Sequence, residues 1–189
     1  TRIPQLLLEL DEGRSVEANS DAGLPGISDP GQELVAAARL SGCEVISIPG
    51  PCAATTALVS SGLPSERFCF EGFLPAKGRE RRDRLAFIAS EQRTSVIYEA
   101  PHRLCQLLDE LFELCGEERP LQVARELTKR HEQQVGPTVG MARNHFQEHT
   151  PQGECTVVLG GAVPVEIEAL TDKQCCEQLL ALTAEGMSA

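Results

Sequence analysis

Apolar positions recur along this chain in two rhythms, and their alternation predicts its layout. Between Pro101 and Leu114 the residues Leu104, Leu107, Leu108, Leu111 and Phe112 fall at i, i+3, i+4, i+7 and i+8, the spacing of a helix with one buried face. Short runs rich in β-branched residues predict strands at CEVISI (43–48), TSVIYE (94–99), LQVARE (121–126) and ECTVVLGG (154–161). RFCFEGF (67–73) reads as a strand with a bulge or bend at Gly72, and Ser15–Asn19 as a shorter strand in which Glu17 fits a doubly buried position poorly. Helices are expected over residues 3–12, after Asp29, over 53–62 closed by Gly62, over 80–90, around 138–147 and over 172–182. The string Asp29-Pro30-Gly31-Gln32 predicts Asp29 as a helix N-cap, with Pro30 at the first helical position.

This order implies an α/β protein in two parts. Residues 1–63 run helix, strand, helix, strand, helix, which predicts a partly parallel sheet with helices on its faces. The texture changes at Gly62-Leu63-Pro64. Residues 64–163 form a second α/β unit whose loop lengths suit a mixed sheet, and residues 164–189 read as an acidic helical tail that is cut short.

Composition narrows the class. Apolar residues make up 41% and charged residues 24%, as in a globular chain, and with six Phe, one Tyr and no Trp the core must be aliphatic. A net charge of −11 argues mildly against a nucleic-acid partner, because phosphates are met by Lys and Arg. No apolar run reaches membrane-spanning length, and the N-terminal residues lack a signal-peptide layout. The cysteines at 43, 52, 69, 105, 115, 155, 175 and 176 show no spacing that begins a zinc site, so they are read as free thiols in a reducing cytoplasm.

Ligands in open α/β sheets sit beyond the carboxyl ends of strands, and three strand-to-helix loops qualify. SDAGLPGISDPG (20–31) combines Gly23 and Gly26, which permit close backbone approach, with the carboxylates of Asp21 and Asp29. Pro49-Gly50-Pro51-Cys52 is the second. Tyr98-Glu99-Ala100-Pro101-His102-Arg103 is the third, where a phenol, a carboxylate, an imidazole and a guanidinium meet. Each loop also reads as an ordinary turn, and none matches a dinucleotide fingerprint, a P-loop or a nucleophile elbow. Two charged strings complete the inventory. LPAKGRERRDRL carries Lys77, Arg79, Arg81, Arg82 and Arg84 against Glu80 and Asp83, and ARELTKRHE covers residues 124–132. Both fit a solvated, ion-paired helix face or a set of phosphate contacts.

Taken together, SDAGLPGISDPG, IPGPCAATTAL, SGLPSERFCFEGFLPAKGRERRDRL, YEAPHR, ARELTKRHE and GECTVVLGG resemble the small-subunit ribosomal RNA methyltransferases of the tetrapyrrole-methylase-like class, over residues 1–160. The resemblance implies a two-domain α/β fold with S-adenosylmethionine in the cleft between domains, homodimers, and 2′-O-methylation of a cytidine in 16S rRNA. It implies cofactor contacts from Asp21, Ala22, Gly23, Pro49, Gly50, Cys52, Ala53, Tyr98, Leu127 and Gly153. RNA contacts are expected from Lys77, Arg81, Arg82, Arg103, Arg125 and Lys129, and a general base from Glu99, Glu126 or His102, with no metal. The family pattern carries Thr at the position of Leu24 and apolar residues at Glu17 and Asn19, so one hydroxyl is absent from the expected cleft. Its initial strand and glycine-rich loop have no counterpart in the sequence, which is therefore expected to be a fragment or a truncated gene model, with its activity on its own left open. A tetrapyrrole or other small-molecule acceptor, and a non-catalytic RNA-binding or dimerising fragment, are the alternatives.

Overall fold

The computed structural model describes residues 2–21 and 23–164. The helices and strands are α1 (Ile3–Asp11), α2 (Gln32–Leu40), α3 (Ala53–Ser61), β1 (Phe68–Phe73), α4 (Arg79–Ser90), β2 (Thr94–Glu99), α5 (Pro101–Cys115), β3 (Leu121–Arg125), β4 (Gln133–Val135), α6 (Val139–Glu148) and β5 (Cys155–Leu159). The strands form one mixed sheet in the order β1-β2-β5-β3-β4. β1 and β2 are parallel, and β5 runs antiparallel between β2 and β3. β1, β2 and β3 therefore end at the same sheet edge, where β4 and β5 begin.

The period-two alternation of each strand sorts its side chains onto two faces. Ile97, Val123, Val157 and Leu159 join Leu85 and Ile88 of α4, Leu104, Leu107, Leu108 and Leu111 of α5, and Val139, Ala142 and Phe146 of α6 in the main core. Val96, Ala124 and Val158 face the other way and are covered by Ala54, Ala57 and Leu58 of α3. The leucine stripe of α5 is buried as its spacing predicts, and β1 shifts register between Phe70 and Gly72, where the bulge is expected. Gly62 ends α3 in the left-handed conformation, which glycine adopts without a Cβ clash.

Several expectations are corrected. Residues 2–63 contribute three helices and no strand among the described residues, so neither Ser15–Asn19 nor 43–48 joins a ladder. A strand exists only against a neighbour that accepts its hydrogen bonds; Ile46 and Ile48 are instead 77% and 78% exposed. The N-cap of α2 is Gly31, not Asp29: with φ at 138° it turns against the Gly26 backbone, and the helix starts at Gln32, two residues after Pro30. β4, in a segment expected as loop, is a short edge strand on β3. The acidic tail and the helix over 172–182 lie outside the described residues, as do Cys175 and Cys176.

Candidate active site at the open edge of the sheet

The register across the sheet determines what this edge presents. Glu99 pairs with Cys155, Cys155 with Arg125, and Arg125 with Gln133, in one row. The next row inward holds Tyr98, Thr156, Ala124 and Gln134. Because successive residues alternate faces, Tyr98 projects toward α3, while Glu99 and Arg125 project toward the face of α4, α5 and α6.

On the α3 side three segments meet. The Tyr98 hydroxyl accepts a hydrogen bond from the Ala54 amide at 3.0 Å, which fastens the N-terminus of α3 to the end of β2. Phe70 packs edge-on against the Tyr98 ring at 5.0 Å, and Phe73 lies tilted at 5.6 Å. Cys52 is the N-cap of α3 and packs with Leu63, Tyr98 and Leu127 at the margin of the α3 core. Burial works to raise the Cys52 thiol, yet hydrogen bonding from Thr55, Ala54 and the Tyr98 hydroxyl holds it below its usual value. Burial, with Cys52 alongside, pushes the Tyr98 phenol up.

The 20–31 loop closes over the same region. A Cβ on Gly23, which has φ of 78°, would lie 3.6 Å from the Pro51 carbonyl, and one on Gly50 would lie 3.2 Å from Leu24. At its far end, Ser28 reaches the bulge of β1, where a Cβ on Gly72 would meet its hydroxyl at 3.2 Å. The first loop thus touches the second loop and β1, and the second leads through Cys52 into the α3 terminus bonded to Tyr98. Asp21, Pro49, Gly50 and Ala53 are exposed there, whereas Ala22 lies outside the described residues.

Behind Tyr98, the turn after β3 folds onto the start of β5. Glu126 has φ of 52°, and its carboxylate accepts from Lys129 Nζ at 2.9 Å and from the Glu154 amide at 2.9 Å. Those contacts, Lys129 first, hold Glu126 below the ordinary carboxylate range. Gly153 must be glycine, since its φ is 78° and a Cβ would overlap the Glu126 carboxylate.

The other face holds a buried ion-pair network. Arg81 is 2% exposed and donates from Nε to both Glu110 oxygens at 3.1 and 3.0 Å, from Nη2 to Glu110 at 2.6 Å, and from Nη1 to the Pro75 carbonyl at 2.9 Å. Glu99, 1% exposed, accepts from the Ala100 amide at 2.9 Å and pairs with Arg103 Nη2 at 2.5 Å and Arg81 Nη1 at 3.5 Å. Arg81 is therefore no RNA contact: its guanidinium is consumed inside the protein. Glu99 is likewise walled off from the exposed edge, which takes it out of the set of accessible bases, and Arg103 spends its charge on Glu99.

Of the remaining expected residues, His102, Lys77 and Arg82 are exposed, Lys129 is paired with Glu126 and Glu154, and Arg125 lies on the α6 side. The structure therefore gathers Gly23, Gly50, Cys52, Ala53, Tyr98 and Leu127 on one face and leaves Glu99, Arg81 and Arg103 on the other. Phe70, Phe73 and Ser28 join the site without having been singled out; three residues apart, the two phenylalanines would fall on opposite faces of a regular strand, and the bulge between Phe70 and Gly72 brings both against Tyr98. Among the described residues, no cluster of His, Cys, Asp or Glu has the arrangement of a metal site.

Comparison with known proteins gives this edge its context. Residues 3–142 match the family model of the Tetrapyrrole (Corrin/Porphyrin) Methylases. A protein of Synechocystis named ribosomal RNA small subunit methyltransferase I is 48% identical over 187 residues, which cover 99% of this chain and 67% of that protein. Proteins of the same name from Escherichia coli and Mycobacterium tuberculosis are 47% and 48% identical, over 82% and 86% of this chain, and the matches span only 55% and 57% of their lengths. The solved methyltransferase CobJ superposes with a TM-score of 0.64 at 22% identity, covering 88% of this chain and 72% of that one. Uroporphyrin-III C-methyltransferase from Thermus thermophilus, solved in complex with S-adenosyl homocysteine, does so with a TM-score of 0.56 at 20% identity, covering 82% and 70%. At these identities the solved structures speak to the fold, and the sequence relatives to the group. The chain belongs to the tetrapyrrole methylase family, and within it to the group whose members are named ribosomal RNA small subunit methyltransferase I.

Proposed function

We propose that this chain carries the substrate side and part of the cofactor side of an S-adenosylmethionine-dependent methyltransferase acting on the ribose 2′-hydroxyl of a cytidine in 16S rRNA. The carrying observation is the convergence of the 20–31 loop, the 49–53 loop and Tyr98 on one face of the sheet edge, in a chain 48% identical to a protein named for rRNA methylation. In this reading residues 1–63 form the cofactor-side unit, residues 64–163 the second unit, and the enzyme works in the cytoplasm as a homodimer. Among the described residues no helix is long and apolar enough to cross a membrane.

The residues present suit the cofactor. Phe70, Phe73 and Tyr98 offer an aromatic wall for a purine, and the glycines at 23 and 50 keep side chains out of the space between the two loops. The exposed Asp21 carboxylate suits ammonium or hydroxyl donors, while Leu127 borders the same face from the second unit. When bound, S-adenosylmethionine supplies an electrophilic methyl group on a sulfonium centre. The chain's own contribution is orientation and the removal of one weakly acidic proton. Glu126, kept ionised and pinned by Lys129 and the Glu154 amide, is a positioned acceptor for a hydroxyl proton but a weak base. His102, exposed on the first turn of α5, is the other candidate. The exposed Lys77 and Arg82 remain for phosphates, which the acidic remainder of the surface cannot attract.

Calorimetric titration with S-adenosylmethionine tests this reading. One saturable site per chain, weakened by Asp21→Ala, is expected, together with transfer of labelled methyl to 16S rRNA. Binding that is indifferent to Asp21, Tyr98 and Gly50 variants would refute the assigned cleft.

A further inference from the structure

A second feature of the same edge lies on its opposite face and takes no part in the proposed chemistry. Between the end of β3, the start of β4, the end of α6 and the 150–152 segment is a concavity of about 230 Å³. Arg125, Gln133, His145, His149, Thr150 and Gln152 line it, and no carboxylate does, in a chain of net charge −11.

Its polar groups are ordered by one another. Arg125 donates from Nε to Gln133 Oε1, from Nη1 to the Gln152 carbonyl and from Nη2 to the His131 carbonyl, each at 3.1 Å. These three bonds fix the guanidinium plane and leave two of its five N–H groups over. The first of them also fixes the Gln133 amide, so Gln133 Nε2 is the donor in its 3.1 Å contact with His145 Nε2. His145 is thereby the acceptor, with its proton on Nδ1. His149 Nδ1 donates to the His145 carbonyl at 3.0 Å.

The two imidazoles stack with centroids 4.5 Å apart and planes at 17°, and His145 rests edge-on against the buried Phe146 at 5.0 Å. The aromatic column thus rises from the core through Phe146 and His145 to His149, whose side chain is exposed. A stacked imidazole pair ending in an exposed ring, beside a fixed cation, has the chemistry that single-stranded RNA uses: an unstacked base takes the next place in the stack, and its phosphate meets the arginine.

We propose that this concavity is a binding subsite for one unpaired RNA nucleotide outside the methylated cytidine, its base stacked on His149 and its phosphate directed to Arg125. The proposal rests on the RNA-substrate reading given above, extending it to the face of the sheet opposite the cofactor cleft. It also explains why Arg125 is held rigid on the α6 side, away from the cleft residues.

The test follows the His145 and His149 ring signals of the full chain by NMR. The chain is titrated with cytidine and adenosine 5′-monophosphate, and then with a single-stranded RNA hexamer. A saturable upfield shift of His149 is expected for all three, with the hexamer tighter than the mononucleotides. His149→Ala should weaken the hexamer by about 5- to 150-fold, the range of one base–aromatic stack, whereas His149→Phe should stay within about threefold of the wild type. S-adenosylmethionine affinity should be the same in all three proteins. A hexamer that binds without moving His149, or a Phe variant as weak as the Ala variant, would overturn the subsite while leaving the methyltransferase reading intact. Mononucleotide binding at His149 without hexamer binding would overturn it as an RNA subsite. Loss of S-adenosylmethionine binding in the wild type would instead count against the methyltransferase reading.

Discussion

Replacing Arg81 by alanine separates two readings of the basic string LPAKGRERRDRL. If Arg81 met RNA phosphate, its removal would leave the fold alone and lower the salt dependence of RNA binding, by a slope of about 0.7–0.9 for one contact. The geometry predicts the reverse. Alanine removes the bonds to Glu110, the 2.9 Å bond to the Pro75 carbonyl and the 3.5 Å pairing with Glu99. Breaking one side of a buried ion pair costs about 3–5 kcal/mol, chiefly because the remaining charge loses its compensation. Here Glu99 keeps Arg103 and the Ala100 amide, and Glu110, with a side chain 27% exposed, is reached by water. The expected loss is therefore at the low end, about 3 kcal/mol. For a chain of this size that lowers the melting temperature by roughly 6–12 °C. Thermal melts followed by circular dichroism measure the first quantity, and RNA anisotropy titrations over a salt series measure the second. An unchanged melting temperature with a shallower salt slope would refute the buried-network reading.

Other outcomes follow from single contacts. Gly153→Ala forces a side chain into the left-handed region, at about 1–2 kcal/mol, and against the Glu126 carboxylate, so urea midpoints should fall and the Glu154 amide should exchange faster. Tyr98→Phe leaves the Ala54 amide without its acceptor, at about 1 kcal/mol; because the hydroxyl also helps hold the Cys52 thiol low, alkylation of Cys52 should shift to higher pH in this variant. Glu126 has a folded-state pKa below its unfolded one, so its ionised form stabilises the fold above the unfolded value, and that contribution disappears as pH falls through the lower folded value. The stability gap between wild type and Glu126→Gln, from urea unfolding, should thus be constant near neutrality and close in acid; a gap that widens in acid would overturn the assigned contacts.

What the sequence disclosed depended on how local each signal was. The α5 stripe, the β1 bulge at Gly72 and the runs at 94–99 and 155–159 carry their own periodicity, and all four appear where expected. The runs at 15–19 and 43–48 have strand-like composition, but composition supplies no pairing partner, and they lie outside the sheet. Gln133–Val135 fails in the other direction: three residues are too few for a period, and β3 alone makes them a strand. The 20–31 and 49–53 loops and Tyr98 stood out because glycine, proline and a lone tyrosine are conspicuous, whereas the separation of Tyr98 from Glu99, Arg81 and Arg103 onto opposite sheet faces required the register. Arg81 is more instructive. It precedes Leu85 by four residues and Ile88 by seven, so the helical period already placed it on the buried face of α4, while Arg82 falls outside it. Charge drew attention to the string, but periodicity decided which of its members reach solvent.

Under the proposed function, that division bears on how an acidic chain would meet RNA. The buried members do not attract phosphate, yet they set the loop that carries the exposed ones. Arg81 holds the Pro75 carbonyl and Arg103 reaches the Leu74 carbonyl at 3.5 Å, while both guanidiniums converge on Glu99 at the end of β2. Lys77 follows two residues after Pro75, with Arg79 opening α4. An aliphatic core of the same volume would stabilise equally well, because buried ion pairs gain little net free energy. It could not specify which carbonyls the loop turns inward, since dispersion has no direction and hydrogen bonds do. The network therefore ties the position of the 75–79 loop to the strand that ends in Tyr98 and Glu99. Lys77, proposed above for phosphate, and Tyr98, proposed for the cofactor, are in this way referred to one rigid point, the carboxylate of Glu99.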